Sequence, residues 1–298
     1  SAYSDATIAK KNLTITAASA SKQYDGKALT KNEVTTDGLV DGDEATVTVT
    51  GSATNVEDNG TNVPSNAVIK NGDAVKTGNY NITYVDGTLT ITKAPLTIKA
   101  NDKTITYGDA ANNNGVTYNG LVNSEDGATV VSGLTYVYNY EQYGNVGNYT
   151  ITPTGAAAAN YDITYQTGTL TVGQKEVTLT WKPTGDTLYY DGNAKNVTAT
   201  VGGTVNNDVI TATVVGGKET AIGQYTAKVT ALTGDKAGNY APPTEVTKSY
   251  AIQAALSASE LTVTPATVTA TIDGLTIKLV GYKNASETVT VKKGEVTA

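Results

Sequence analysis

The chain predicts an all-β protein built of small β-sandwich modules strung in tandem as an elongated array, with a smaller β module at the C-terminal end. Three observations carry this. Short runs in which apolar residues alternate with threonine are bounded by Gly, Asn, Asp and Pro, the period-two signature of half-buried strands. Landmark motifs return at nearly constant intervals, which is the mark of internal duplication. Thr, Val, Tyr, Asn and Gly dominate while straight-chain helix formers are scarce, so local propensity agrees with the pattern.

The joint between modules is legible at Gly87–Ala100. Leu89 and Ile91 alternate with threonines on one side, Leu96 and Ile98 do the same on the other, and only Thr92 to Pro95 can serve as linker. So short a joint predicts modules held end to end with little freedom. The same form recurs at Gly168–Thr180, and a worn version runs through Lys248–Leu256.

Taken in order, residues 1–11 read as the tail of a preceding unit or as an expression leftover. The first repeat spans 12–93, the second 94–173 and the third 174–253. Residues 254–298 keep strand-like runs such as Glu260–Ile272 but lose the landmarks, and read as a small or truncated β module. Tyr24, Tyr107 and Tyr190 stand 83 residues apart in each step, each beside Asp and Gly. Tyr80, Tyr161 and Tyr240, each preceded by Asn, come just before the last strand of their repeats and lie 81 and 79 residues apart. Midway, Leu39-Val-Asp-Gly-Asp, Leu121-Val-Asn-Ser-Glu-Asp and Val205-Asn-Asn-Asp each lead into a Val/Thr-rich stretch and read as a strand, a polar turn and a strand.

Turn signals fall every 8 to 12 residues or so within a repeat, giving about seven short strands, the count of an immunoglobulin-like sandwich. Tyr149 and Tyr225 follow a Gly-containing corner at the start of a late strand, where such sandwiches keep a tyrosine whose hydroxyl bonds back to the backbone. The first repeat has Val63-Pro-Ser-Asn-Ala-Val-Ile there, and closes its corner some other way.

The motifs Tyr24-Asp-Gly-Lys, Gly78-Asn-Tyr-Asn-Ile-Thr-Tyr-Val-Asp-Gly-Thr-Leu-Thr-Ile-Thr-Lys-Ala, Thr106-Tyr-Gly-Asp and Asn145-Val-Gly-Asn-Tyr-Thr-Ile-Thr-Pro-Thr-Gly-Ala resemble the MBG and YDG-type bacterial Ig-like repeats found in tandem in very large surface proteins and adhesins. The resemblance covers Asn12 to Gln253, with the first repeat nearest the YDG type, the second nearest the MBG type and the third more divergent. It implies a β-sandwich repeat with an extracellular, cell-surface location, and it brings no catalytic residues. A stalk or spacer role follows from it as an expectation, presenting a binding region away from the cell. The alternative is that one module is itself a carbohydrate- or host-protein-binding adhesin domain.

Side-chain chemistry narrows function. The chain has no His, Cys, Met, Phe or Arg, one Trp and 19 Tyr. No Ser-His-Asp or Cys-His arrangement can form, and the usual zinc and haem ligands are missing. An enzyme is not expected, and neither is a cofactor. A net charge of −7, with Lys as the sole basic residue, argues against nucleic acid as a partner. No apolar run approaches the roughly 18 residues of a membrane span, so this segment is not expected to touch a membrane. With neither a signal peptide pattern at one end nor an anchor at the other, the chain reads as an internal piece of an exported protein. A host glycan or host surface protein is the expected kind of partner, and the chain itself is expected to be monomeric.

The densest acid cluster, Asp41, Asp43 and Glu44, is the one candidate for Ca2+, against a turn with solvated charges. Glu125 and Asp126 occupy the matching turn in the second repeat. Tyr136, Tyr138 and Tyr140 fall on one strand face with Tyr143 after them, a candidate platform for a sugar ring or, more simply, core and edge packing. Trp181 raises the same choice. Tyr24, Tyr107 and Tyr190 read as structural turns reused by duplication. Lys beside Asn leaves an intramolecular isopeptide link open, although no motif marks one.

Overall fold

The computed structural model describes residues 8–254. The small β module read at the C-terminal end, and most of the 1–11 tail, lie outside the described residues.

In the first repeat the strands are β1 (Lys11–Ala17), β2 (Ala20–Gln23), β3 (Val34–Asp37), β4 (Glu44–Thr50), β5 (Gly60–Asn71), β6 (Ala74–Val75), β7 (Tyr80–Val85) and β8 (Gly87–Thr92). They form two sheets, β3-β1-β7 and β2-β8-β5-β4, with β6 added to β5. Alternation decides the faces: Leu13, Ile15 and Ala17 of β1 are buried while Thr14 and Thr16 lie between them, half-exposed. Burying a Leu or Ile completely contributes about 1.5–3 kcal/mol, so these few positions carry much of the core.

The opening and closing strands run side by side. β1 is parallel to β7 and β2 is parallel to β8, whereas the other pairs are antiparallel. Both strands break at the same level and cross from one sheet to the other, at Ala18-Ser19 and at Asp86. Gly87 makes the crossing possible, because a Cβ there would lie 2.5 Å from the Ala18 carbonyl oxygen and 2.6 Å from that of Ala17. The buried Asn62 braces it, donating from Nδ2 to the carbonyls of Ala18 (2.9 Å) and Lys31 (2.6 Å).

The second repeat follows the same plan: β9 (Ala94–Ala100), β10 (Lys103–Thr106), β11 (Val116–Asn119), a short helix α1 (Gly127–Val130), β12 (Thr135–Tyr138), β13 (Gly147–Thr154), β14 (Tyr161–Gln166) and β15 (Gly168–Gly173). β9 pairs with β14 in parallel, as β1 does with β7. The helix replaces the strand expected after the mid-repeat turn. Asp126 starts it, accepting from the Ala128 N–H at 3.2 Å.

The third repeat runs β16 (Lys175–Glu176), β17 (Thr178–Lys182), β18 (Thr187–Tyr189), β19 (Lys195–Asn196), β20 (Thr198–Gly202), β21 (Thr211–Val215), β22 (Lys218–Glu219), β23 (Gly223–Thr233), β24 (Tyr240–Ala241) and β25 (Thr247–Gln253). β18 is parallel to β25, and β23 is antiparallel to both β25 and β21. The modules are immunoglobulin-like β-sandwiches in tandem.

The described chain forms two compact units. One takes the chain up to Ile105 with Asp109–Gln142 and Gly147–Val172; the other takes Thr106–Gly108, Tyr143–Val146 and the chain from Gly173 on. Within the first unit, Lys93 alone separates β8 from β9. Leu89 and Ile91 share one buried cluster with Leu96, Ile98, Tyr24 and Tyr161, so the core runs through the joint.

Two local expectations change. The Leu39–Asp43 turn closes no hairpin, because β3 pairs with β1 and β4 with β5, and the turn carries the chain between sheets. The corner of the first repeat is a bulge: Asn66 takes a φ of 51°, the register slips opposite Thr46–Thr48, and the freed Ala67 N–H donates to the Tyr84 hydroxyl at 2.8 Å.

Candidate functional site

A tyrosine and a carboxylate form the same small socket in all three repeats. Tyr80, Tyr161 and Tyr240 open β7, β14 and β24, and each is buried. Their hydroxyls accept from the backbone N–H of Val40 (3.1 Å), Val122 (3.1 Å) and Val205 (3.0 Å), and donate to Asp43, Glu125 and Asp208. The acid sits at the end of the mid-repeat turn, which aims it inward. Each donor is a phenol and each acceptor a carboxylate, the stronger kind of hydrogen bond.

Two of the sockets receive a second tyrosine from the preceding repeat, at Tyr24-Asp-Gly in one and Tyr107-Gly-Asp in the other. In the first unit Tyr24 donates to one oxygen of Glu125 while Tyr161 donates to the other, and the rings meet edge to face with centroids 5.5 Å apart at 81°. In the second unit Tyr107 and Tyr240 both donate to Asp208 Oδ2 at 2.8 Å, with centroids 5.3 Å apart at 78°. Such edge-to-face pairs add about 0.5–1.5 kcal/mol beyond burial.

A second arm recurs beside the first. The Asn preceding the socket tyrosine accepts a backbone N–H and donates to an asparagine side chain. Asn160 Oδ1 accepts from Val56 N (2.9 Å) and its Nδ2 donates to Asn55 (3.0 Å). Asn239 Oδ1 accepts from Val146 N (2.9 Å) and its Nδ2 donates to Asn145 (3.1 Å).

The corner that delivers the tyrosine is braced locally. Asp25 accepts from Lys22 Nζ (2.7 Å) and the Lys27 N–H (2.9 Å), and Asp191 pairs in the same way with Lys195 and the Asn193 N–H. Gly26 at φ +72° and Gly192 at φ +83° complete the turns. Every delivering tyrosine is hooked at its backbone: the N–H of Tyr24, Tyr107 and Tyr190 donates to Thr92, Gly173 and Gln253, each at 2.8 Å.

Electrostatics follow the geometry. Burial, with Asp208 and Glu125 adjacent, pushes the hydroxyls of Tyr107 and Tyr161 up to about 12. The bond to Glu125, then burial, raises Tyr24. Burial raises Tyr80 and Tyr240, and the hydrogen bond from Tyr80 holds Asp43 below the usual carboxylate range. A phenol beside a carboxylate resists losing its proton, because the anion it would form faces another anion.

The other candidates fall elsewhere. Asp43 accepts from Tyr80 (2.5 Å) and Asn71 (3.0 Å). Among the described residues no group of three or more His, Cys, Asp or Glu is placed to hold a metal ion. Tyr136 and Tyr138 lie half-buried on β12, Tyr138 accepting from Asn113 at 3.2 Å. Tyr140 is buried, donates to the Asp109 carbonyl (3.1 Å) and meets Tyr149 edge on. Tyr143 belongs to the second unit. Trp181 packs half-buried against Val197, Ala227, Tyr250 and Ile252. The Tyr225 hydroxyl donates to the Ala221 carbonyl at 2.9 Å. A shallow cavity of about 370 Å³ in the second unit is lined by Val197, Ala199, Val214 and Lys218 among others, with no aromatic side chain.

Sequence reading placed Glu125 and Asp208 in polar turns and missed their partners. The signal was an acid ending each mid-repeat turn, followed by the Asn-Tyr tyrosine 37, 36 and 32 residues on.

No curated protein sequence matches the chain. Among solved structures, the chain is similar to Drosophila N-cadherin EC1-3 at 8% identity and a TM-score of 0.26, over 80% of this chain and 99% of that one. It is similar to the extracellular domain of protocadherin γB4 at 11% and 0.25, over 82% and 51%. A third likeness, at 9% and 0.16 over 91% and 72%, is to Bacteroides ovatus SGBP-B in complex with a mixed-linkage heptasaccharide. The sequence profile of the MBG domain (YGX type) matches residues 13–90 and 96–171, together just over half the chain. The chain belongs to the MBG domain family, and the matched segments are two tandem copies of that domain.

Proposed function

We propose that this chain is a non-catalytic stalk segment of a bacterial cell-surface protein, holding a binding region away from the cell. The observation that carries the reading is the joint between the first two repeats. One residue separates β8 from β9, a continuous apolar cluster crosses the joint, and Tyr24 is bonded to Glu125 beyond it. A joint so closed leaves a module little freedom to swing, and stiffness is what a spacer needs. The socket groups are spent on one another: each phenol proton is committed to a carboxylate, so the site offers no free nucleophile or base. An extracellular location agrees with a surface free of cysteine and mildly acidic.

Small-angle scattering of the intact chain tests the stalk. A compact 298-residue globule has a radius of gyration of about 19 Å. A line of modules, each roughly 30–40 Å long, gives roughly 35–45 Å, and that is the expected result. A value near the globular figure would overturn the reading, and a saturable signal on a glycan array would move the binding role into this segment.

A further inference from the structure

The chain holds four Asn-Gly steps, at 59–60, 71–72, 114–115 and 119–120. An Asn before Gly is open to loss of its side-chain amide, because glycine has no Cβ to keep its nitrogen from the neighbouring Cγ. The fold treats the four differently.

Three are restrained. Asn59 clamps β8: its Nδ2 donates to the Ile91 carbonyl at 3.0 Å and its Oδ1 accepts from the Ile91 N–H, so the amide is fixed at both ends. After Asn114, the Gly115 N–H is spent on Asn113 Oδ1 (3.0 Å), and the Gly115 carbonyl accepts from the Asn101 N–H (3.1 Å). Asn119 ends β11 in register with Thr97, and Gly120 sits against β9, where a Cβ would lie 2.4 Å from the Pro95 carbonyl oxygen.

Asn71 is held far less. It closes β5 opposite Ala74, so Gly72 and Asp73 alone make the hairpin loop. Gly72 stands at the first corner of that loop with a φ of +56°, and nothing lies within 4 Å of where a Cβ would be. The N–H at that corner takes no part in a turn's own hydrogen bond, so the turn does not tie up its nitrogen. Asn71 is exposed, and among the described residues its side chain makes a single bond, from Nδ2 to Asp43 Oδ1 at 3.0 Å.

We propose that Asn71 is a site of spontaneous deamidation, and that its product loosens the Asp43–Tyr80 socket. The Gly72 nitrogen attacks Asn71 Cγ. The new N–C bond forms as the Cγ–Nδ2 bond breaks, and Nδ2 leaves as ammonia carrying the glycine proton. Water then opens the cyclic imide at either carbonyl, leaving aspartate or its β-linked isomer. Overall one water is consumed, one ammonia is released and nothing is oxidised.

The product faces Asp43. Where an amide donated to Oδ1 there is now an anion, and two carboxylates so close disfavour each other's charge. Asp43 is the acceptor that holds the Tyr80 hydroxyl, which in turn accepts the Val40 N–H. The conversion therefore acts on the mid-repeat turn and, being irreversible, accumulates with the age of the chain. The proposal rests on the first repeat alone and does not need the stalk reading.

Peptide mapping by mass spectrometry of the intact chain, aged in a mildly alkaline buffer, tests the first step. Asn71 should convert roughly ten-fold faster than Asn59, Asn114 or Asn119, a barrier lower by about 1.4 kcal/mol. In denaturant the four rates should converge, since the fold sets the difference. Amide exchange tests the second step. In Asn71→Asp the Val40 N–H should exchange roughly ten-fold faster than in the parent, and faster than in Asn71→Ser, which loses the bond without adding charge. Four sites converting at one rate in the folded chain, or Val40 exchange in Asn71→Asp no faster than in the parent or in Asn71→Ser, would overturn the proposal.

Discussion

The Tyr107 hydroxyl donates to Asp208 at 2.8 Å across 101 residues of sequence, and Tyr24 reaches Glu125 across the same 101. Equal separation means that the joint was duplicated along with the module. A carboxylate shared by two phenols is thus a unit of construction here, and its energetics can be tested one atom at a time.

Glu125→Ala strips the acceptor from two buried phenols at once. A buried hydroxyl left without its partner costs about 1–3 kcal/mol. Tyr161 keeps its bond from the Val122 N–H, so the expected loss is about 2–4 kcal/mol by denaturant unfolding. Tyr24→Phe removes one donor and leaves Glu125 bonded to Tyr161, and should cost about 1–2 kcal/mol. Equal losses for the two variants would mean that the carboxylate does not bridge them.

Stability should fall on the alkaline side. Tyr107 and Tyr161 titrate near 12 when folded, against about 10 for a free phenol. A group whose folded value is raised contributes fully below the unfolded value and loses that contribution as pH climbs through the folded one. The decline therefore begins near pH 10 and is complete by about pH 12, tracked by unfolding midpoint and phenolate absorbance together. Asp43 works the other way: its lowered value gives a contribution present above the usual carboxylate range and lost as pH falls through its folded value. A flat profile from pH 9 to 12 would contradict the socket.

Gly87→Ala and Gly168→Ala should each destabilise the chain by about 1–3 kcal/mol, because the new Cβ would stand 2.5 Å from the carbonyl oxygens of Ala18 and Ala100 respectively. Gly78→Ala is the control, with nothing within 4 Å of the added atom, and should stay within about 0.5 kcal/mol of the parent. Thermal melts of the three variants side by side decide the point.

Asn62→Ala removes the two donors that hold the Ala18 and Lys31 carbonyls at the strand crossing. Leaving those carbonyls buried should cost about 2–4 kcal/mol. Amide exchange is then expected to quicken in β2 and β8 before the rest of the first repeat; uniform quickening would show that the crossing is not a local weak point.

Much of this was readable without coordinates. Alternation at Leu13-Thr-Ile, Leu89-Thr-Ile and Leu96-Thr-Ile makes strands because side chains flip faces at each residue, and that rule is local. The mid-repeat turn was read only in part. Its Asp and Glu residues were assigned to solvated corners, yet Asp43, Glu125 and Asp208 turn inward, and the helix at Gly127–Val130 carries no periodic signal in four residues.

The sequence by itself determined the all-β class, the short joints, the 83-residue register and which tyrosines recur, since each follows from local pattern or from duplication. Only the tertiary structure decided where those tyrosines point. Whether Tyr24 is a turn residue or a bolt depends on a carboxylate 101 positions away, and nothing in the neighbourhood of either residue encodes that distance. It is set by how β1 and β2 run parallel to β7 and β8, which brings the end of one repeat against the mid-repeat turn of the next.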